Sequence, residues 1–373
     1  MALSIIGCGF VADLYMRSLK AHPTVQVSCV YDHDPERAQT FAQYWGLIAC
    51  DTMEGFLAQQ AAGSLVLNLT NPAAHYDVSR QCLEAGMHVY SEKPLAMSMV
   101  DATALTELAR ARNLMLASAP CSVLGQAAQT LGKALRDGVA GKPRLIYAEL
   151  DDGYIPQAPF DGWRSESGRA WPAADEFRTG CTVEHAGYYL TWLIGWFGSV
   201  ERVIAASATV IPEKNPDGQG TPDVSIATLF FANGVVARLT CSIVGSHDHQ
   251  IRIFGDKGVL RVTRAWDNAA PVRFYRRFQL RRRLVEHPIG RRIKLGKKTH
   301  PKVKRWGAAA MNFALGPVEM LEAISEGREC RLSADFALHL NEVTLAIQGA
   351  GSDTGAQVMQ TKCDPVEPMS WAK

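Results

Sequence analysis

The chain has 373 residues, 47% of them hydrophobic and 20% charged, with a formal net charge of +2. That length suits two ordinary domains, and no apolar run approaches the roughly 18–20 residues of a membrane helix. Nine cysteines stand singly, with no Cys-x-x-Cys pair, which fits free thiols in a reducing cytoplasm rather than a disulfide framework or a zinc site. Residues 1–6 run straight into a glycine turn with no basic leader, so no secretory signal is expected.

Residues 2–6 read as a short apolar strand. Gly7, Gly9, Phe10, Val11 and Ala12 follow as G-x-G-x-x-A, opening a helical pattern through Leu14, Met16 and Leu19. Gly7 permits the tight turn, Gly9 lets a pyrophosphate approach the helix N-terminus, and Ala12 permits close helix–strand packing. A second strand at 25–31 ends in Asp32, placed to accept from a ribose 2′-hydroxyl. A carboxylate there repels a 2′-phosphate, so NAD is expected, with NADP the second option. Arg37 could swing toward such a phosphate, but the solvated helix position is the preferred reading.

Strands at 65–69, 87–91 and 114–118 alternate with helices carrying His75 and residues 98–112. This pattern predicts a parallel, doubly wound α/β sheet. Thr70, Asn71, Pro72, Glu92 and Lys93 then fall at carboxyl ends of strands, on the edge that holds Gly7–Ala12, where ligands bind in such sheets. A lysine beside a glutamate with Pro94 behind it is an ordinary surface pair in isolation. On this edge it is a candidate for chemistry.

The set Gly7, Gly9, Ala12, Asp32, Thr70-Asn71-Pro72 with His75, and His88 followed by Glu92-Lys93-Pro94, resembles the glucose–fructose oxidoreductase / inositol dehydrogenase (Gfo/Idh/MocA) family. The resemblance is dense in the first third and looser to about residue 350. It implies a two-domain NAD(P)-dependent oxidoreductase acting on a sugar, cyclitol or related polyol. Lys93 would reach substrate and nicotinamide ribose, with Glu92 near the nicotinamide.

The expected division is 1–120 as the NAD(P)-binding Rossmann domain, 121–350 as a substrate-binding and oligomerisation α+β domain, and 351–373 as a loose tail or arm. A helix at 120–138 and a strand at 144–151 precede a long polar loop with Trp163 and Arg164. In the family such a pair lines the cleft; alternatively, its tryptophans simply pin the loop. Typical members carry Asp-x-x-x-His on the next helix. Here the matching positions are Glu184 and Tyr188, i and i+4 on one helix face, with His185 beside them. Oxidising an alcohol needs a proton acceptor, and His185, Tyr188 and Lys93 are all candidates, with Glu184 orienting.

Consecutive strands from residue 200 predict a mostly antiparallel, open-faced sheet, its free face covered by a second subunit in a homodimer or homotetramer. His247, Asp248 and His249 alternate faces on a strand, which argues against a metal site. The segment 273–305 holds fourteen Lys and Arg against Glu286 alone, leaving an acidic body, and is expected as a basic insertion in the second domain. It could grip an anionic sugar derivative or an anionic surface, or be solvated. No nucleic-acid module accompanies it. The expectation is therefore a cytoplasmic NAD-dependent dehydrogenase or reductase of a sugar-like hydroxyl or carbonyl, with no nucleic-acid partner, stable membrane insertion or metal. Two alternatives are an NAD-using enzyme of non-redox net reaction, such as glycoside cleavage, and a non-catalytic dinucleotide-binding regulator.

Overall fold

The computed structural model describes residues 1–215, 220–297, 299–303 and 310–373. They form two compact units. The first comprises Met1–Cys121, Pro159–Thr179 and Asn312–Glu342; the second comprises Ser122–Ala158, Gly180–Met311 and Val343–Lys373. The expected boundaries near 120 and 350 thus miss two excursions. Residues 159–179 and 312–342 belong with the first unit because their hydrogen bonds are there: Ser167 donates to Asp13, and the Phe313 N–H donates to Ser18 Oγ at 3.1 Å.

In the first unit, β1 (Ala2–Ile6), β2 (Gln26–Tyr31), β3 (Leu65–Asn68), β4 (His88–Ser91) and β5 (Leu116–Ser118) form an all-parallel sheet in the order β2-β1-β3-β4-β5. Such strands are covered on both faces, which explains their near-continuous apolar runs. Ile5, Ile6, Val66, Leu67, Val89 and Tyr90 are all buried. Helices start where side chains cap them: Asp34, Thr52 and Ser98 accept from the N–H groups of Arg37, Gly55 and Asp101. The helix Phe10–Leu19 starts at Gly9 with no side-chain cap.

The second unit is built on β6 (Pro143–Asp151), β7 (Val200–Ala208), β8 (Val224–Phe231), β9 (Val236–Ser242), β10 (Ile251–Gly255), β11 (Gly258–Val262), β12 (Val272–Leu280), β13 (Arg283–Glu286), β14 (Arg291–Ile293) and β15 (Gln357–Val358). The order is β13-β12-β11-β10-β6-β9-β8-β7-β15, with β14 also on β12. β6 and β9 run parallel, and the other pairs are antiparallel. The sheet is therefore mostly antiparallel, as expected. One face is apolar and buried, through Ile146, Val203, Leu229, Leu239 and Ile253. On the other face, pairing aligns Arg238, Tyr147, Arg252, Arg261 and Arg273 in one row across five strands. The Arg238 guanidinium lies 4.1 Å from the Tyr147 ring centroid, and Ile204 and Ile226 on the same face are about half exposed.

Two expectations change here. Much of the basic segment is not an excursion: β12, β13 and β14 extend the sheet, with β12 paired to β11, β13 and β14, and Val272 buried while Arg273 faces the other side. Lys298, Lys304 and Arg305 of that segment lie outside the described residues. The tail is not loose either. β15 pairs with β7, the Val366 N–H donates to Gly195 at 2.8 Å, and Ala372 is fully buried.

Candidate active site

The carboxyl edge of the parallel sheet is shaped for a dinucleotide. Gly7 has φ +95°, and a Cβ there would lie 2.6 Å from the Leu69 carbonyl group, so only glycine fits. A Cβ on Gly9 would meet nothing within 4 Å. It would point into open space at an uncapped helix N-terminus, where backbone N–H groups and the helix dipole favour a phosphate. Ala12 is fully buried behind this turn, while Phe10 and Val11 are half-buried. Asp32 is held in place by the N–H groups of Cys8 (2.8 Å) and Asp34 (3.0 Å). Arg37 is directed at Asp32 (3.5 Å) and Asp34 (3.3 Å). These residues fit a dinucleotide whose ribose hydroxyl meets Asp32.

The Glu92-Lys93-Pro94 corner follows β4. The Tyr15 hydroxyl donates to Glu92 Oε1 at 2.6 Å, and the Lys93 N–H donates to Glu92 Oε2 at 3.0 Å. Glu92 is buried and Lys93 half-buried. His75, expected at the cofactor, is fully buried: its Nδ1 lies 2.6 Å from the Pro94 carbonyl oxygen and its Nε2 3.0 Å from that of Thr70. It ties the Thr70-Asn71-Pro72 turn to the corner behind Lys93. Thr70 Oγ1 donates to Asn68 at 2.6 Å, Asn71 Nδ2 donates to Asp175 at 2.9 Å, and Pro72 opens a short 3-10 turn.

The 159–179 loop is fastened to this unit by that Asn71 bond, by Ser167 on Asp13 (2.7 Å) and by Arg17 on Glu166 (2.5 Å). Trp163 packs 5.1 Å from Trp171, beside Phe160, and Arg164 Nη1 donates to the Asp161 and Trp163 carbonyls. Both residues hold the loop together.

In the second unit, the turn Thr182–Ala186 is a π-helix leading into the helix Gly187–Phe197. The expected regular helix from Glu184 to Tyr188 is therefore interrupted, a feature common at functional sites. Glu184 is buried, and His185 and Tyr188 are half-buried. His185 Nδ1 pairs with Asp152 Oδ2. Asp152 follows β6, and its other oxygen, Oδ1, lies 2.6 Å from His249 Nε2. Reciprocal backbone bonds of 3.0 Å between Asp151 and Asp248 bring these two segments side by side. Burial works to raise the Asp152 pKa, but the imidazoles of His185 and His249 outweigh it and hold the carboxyl well below the usual carboxylate range. Trp266 stacks on His249 (5.3 Å, 20°) and packs against Tyr188 (4.5 Å) and the edge of His185 (6.4 Å).

Asp152 and Trp266 escaped sequence reasoning, as did the pairing of His249 with Asp152. They are distant in the chain, and nothing local marks Asp152 among its acidic neighbours. The His247-Asp248-His249 cluster was visible, but its partner was not. Asp152, His247 and His249 bring one donor atom each within 4.8 Å. The 2.6 Å spacing of Asp152 and His249 is that of a direct charge-assisted hydrogen bond. Two ligands of one ion, each about 2.0–2.2 Å from it, would stand farther apart.

The dinucleotide edge, the Glu-Lys-Pro corner and the second sheet define a class, and sequence comparison agrees. Residues 1–119 match the Gfo/Idh/MocA oxidoreductase family with its NAD-binding Rossmann fold, and 128–261 match the C-terminal domain of the same family. The chain belongs to this family, and it is an NAD(P)-dependent oxidoreductase.

Among its relatives is dTDP-3,4-didehydro-2,6-dideoxy-alpha-D-glucose 3-reductase of Streptomyces antibioticus, 28% identical, covering 68% of this chain and 74% of that one. Another is myo-inositol 2-dehydrogenase of Thermotoga maritima, 22% identical over 69% of this chain and 74% of that one. A dehydrogenase from Bordetella pertussis, solved with NADH and UDP-GlcNAcA, shares the fold with a TM-score of 0.71 at 18% identity, covering 96% of this chain and 98% of that one.

Proposed function

We propose that this chain is a dehydrogenase or reductase of a hydroxyl or carbonyl group on a sugar, cyclitol or nucleotide-linked sugar, using NAD in preference to NADP. The observation that carries the reading is the pairing of His185 with the half-buried Asp152 carboxylate. With Nδ1 committed to Asp152, the basicity of His185 resides at Nε2, and the carboxylate stabilises the imidazolium that forms when a substrate proton is taken. Lys93, braced from behind by Glu92 and His75, orients the reacting oxygen and stabilises charge that develops on it. When bound, the nicotinamide supplies the hydride acceptor or donor. Glu184 orients His185 on the π-turn, and Tyr188, one turn on, is the alternative proton acceptor. Relatives named for dideoxyglucose and inositol substrates support the substrate class. The NAD preference is supported by Asp32 and by the engagement of Arg37 with two carboxylates.

The open face of the second sheet, with its half-exposed Ile204 and Ile226 and its arginine row, suits a second copy of the chain in a homodimer. A single-chain mass by light scattering would overturn that assignment. For the chemistry, the purified protein is offered NAD and a panel of sugars, cyclitols and nucleotide sugars, and formation of reduced cofactor is followed. Turnover of at least one member is expected. Tight NAD binding with no turnover across the panel would sink the reading in favour of a dinucleotide-binding regulator.

A further inference from the structure

We propose that Asp152 and His249 form a positioning pair for His185: Asp152 fixes the tautomer of the imidazole, and His249 sets how much of the Asp152 charge that imidazole feels. The inference rests on the assignment of His185 as proton acceptor.

The geometry assigns each carboxylate oxygen to a different ring. Oδ2 meets His185 Nδ1, and Oδ1 meets His249 Nε2 at 2.6 Å. All three side chains are largely withdrawn from solvent, at 11–18% exposure, so the charges act through a medium less screening than water. An N–H on His185 Nδ1 donating to Oδ2 leaves Nε2 as the basic atom. His249, donating its Nε2–H to Oδ1, does two things. It prevents the carboxylate from rotating away, and it takes a share of the negative charge that would otherwise favour the His185 imidazolium. Trp266, stacked on His249, holds that ring in line.

The other ionisable groups around the array have their own partners or are kept neutral. Asp151 accepts from Ser242 at 2.5 Å and Asp248 from Gln250 at 2.8 Å. The ring of His247 lies 4.5 Å from that of His249, and its Nδ1 is 3.1 Å from the Asp151 carbonyl oxygen. On the helical side, burial pushes the Tyr189 phenol up and Asp152 adds to it, so Tyr189 stays neutral. Cys181 beside that helix and Cys241 on β9 are buried and engage each other's backbone carbonyls. Glu184 and Tyr188 flank His185 on the chain. None of these stands between Asp152 and either imidazole.

The arrangement separates the two partners of Asp152 by sign. Removing the carboxylate lowers the proton affinity of His185. Removing the His249 donor leaves more Asp152 charge for His185 and raises it. A neutral replacement donor restores the original value.

The test uses the full-length chain carrying 15N-labelled histidine, titrated by NMR without substrate. The His185 resonance is identified by its loss in His185→Gln. The wild-type His185 is expected as the Nδ1–H tautomer. Asp152→Asn should lower its pKa by about one unit and mix the tautomers; His249→Phe should raise it by roughly half a unit to one unit. His249→Gln should stay close to wild type, and thermal melts check that each variant is folded. An unmoved His185 in His249→Phe, or equal shifts in His249→Phe and His249→Gln, would overturn the pairing. So would one equivalent of zinc in the purified protein whose removal by EDTA reproduces the His249→Phe shift. Turnover of His185→Gln on the sugar panel separates the two readings. Retained turnover removes the base assignment, and with it any positioning role. Lost turnover with no NMR coupling removes only the pair.

Discussion

The Tyr15 hydroxyl donates to Glu92 Oε1 at 2.6 Å, both side chains being buried, so the residue next to Lys93 is braced from the first helix of the chain. Burial, with Glu92 adding to it, pushes the Tyr15 phenol well above its ordinary value, and it remains a donor across the working pH range. Tyr15→Phe removes that donor from a buried carboxylate. The expected cost is about 1.5–3 kcal/mol of stability, read from urea unfolding, because hydrogen bonds to charged groups exceed neutral ones. An unchanged urea midpoint would show that Glu92 draws nothing from Tyr15.

Lys93→Ala should lower kcat by two orders of magnitude or more while NAD binding, measured by calorimetry, stays within a few-fold. Electrostatic stabilisers of this kind contribute roughly 10²–10³ in rate. Full activity would remove Lys93 from the chemistry.

The two glycines of the first turn should fail differently. Gly7→Ala puts a Cβ 2.6 Å from the Leu69 backbone at φ +95° and should destabilise the fold by several kcal/mol. Gly9→Ala meets no protein atom, so the melting temperature should barely move while NAD affinity drops at least tenfold. Unchanged NAD affinity in Gly9→Ala would place the pyrophosphate elsewhere.

Asp32→Ala should weaken NAD more than NADP, because the carboxylate accepts from the ribose and repels a 2′-phosphate. Equal losses for the two cofactors would overturn the NAD preference.

Asp152 also makes a prediction about acid. Its folded pKa is depressed below the unfolded value of about 3.9. Its ionisation therefore stabilises the fold fully above that value, and the contribution is lost as pH falls below about 4 toward the folded value. The melting-temperature difference between wild type and Asp152→Asn should shrink on acidification from pH 5 to pH 3. A difference independent of pH would mean that the carboxylate charge is not what stabilises the fold.

Much of the candidate cofactor edge was legible from residue order, because its parts are local. A glycine turn, the acid ending the next strand and a lysine ending another fall on one edge by the topology of a parallel sheet. The consecutive strands from residue 200, with no helices between them, likewise announced an antiparallel sheet. Burial overrode the reading of His75, whose ring spans two backbone carbonyls. Strand pairing overrode the reading of the basic segment, whose residues 272–280 pair with three other strands.

By itself the sequence determined the parallel sheet, the dinucleotide edge and the place of Lys93, since these follow from short-range pattern and the handedness of βαβ crossovers. Only the tertiary structure decided what accompanies His185. Asp152 and His249 are joined by backbone pairing across nearly a hundred residues, and Trp266 closes the group from a further segment. No periodicity records such a meeting, because it is set by which strand ends the folded sheet brings together.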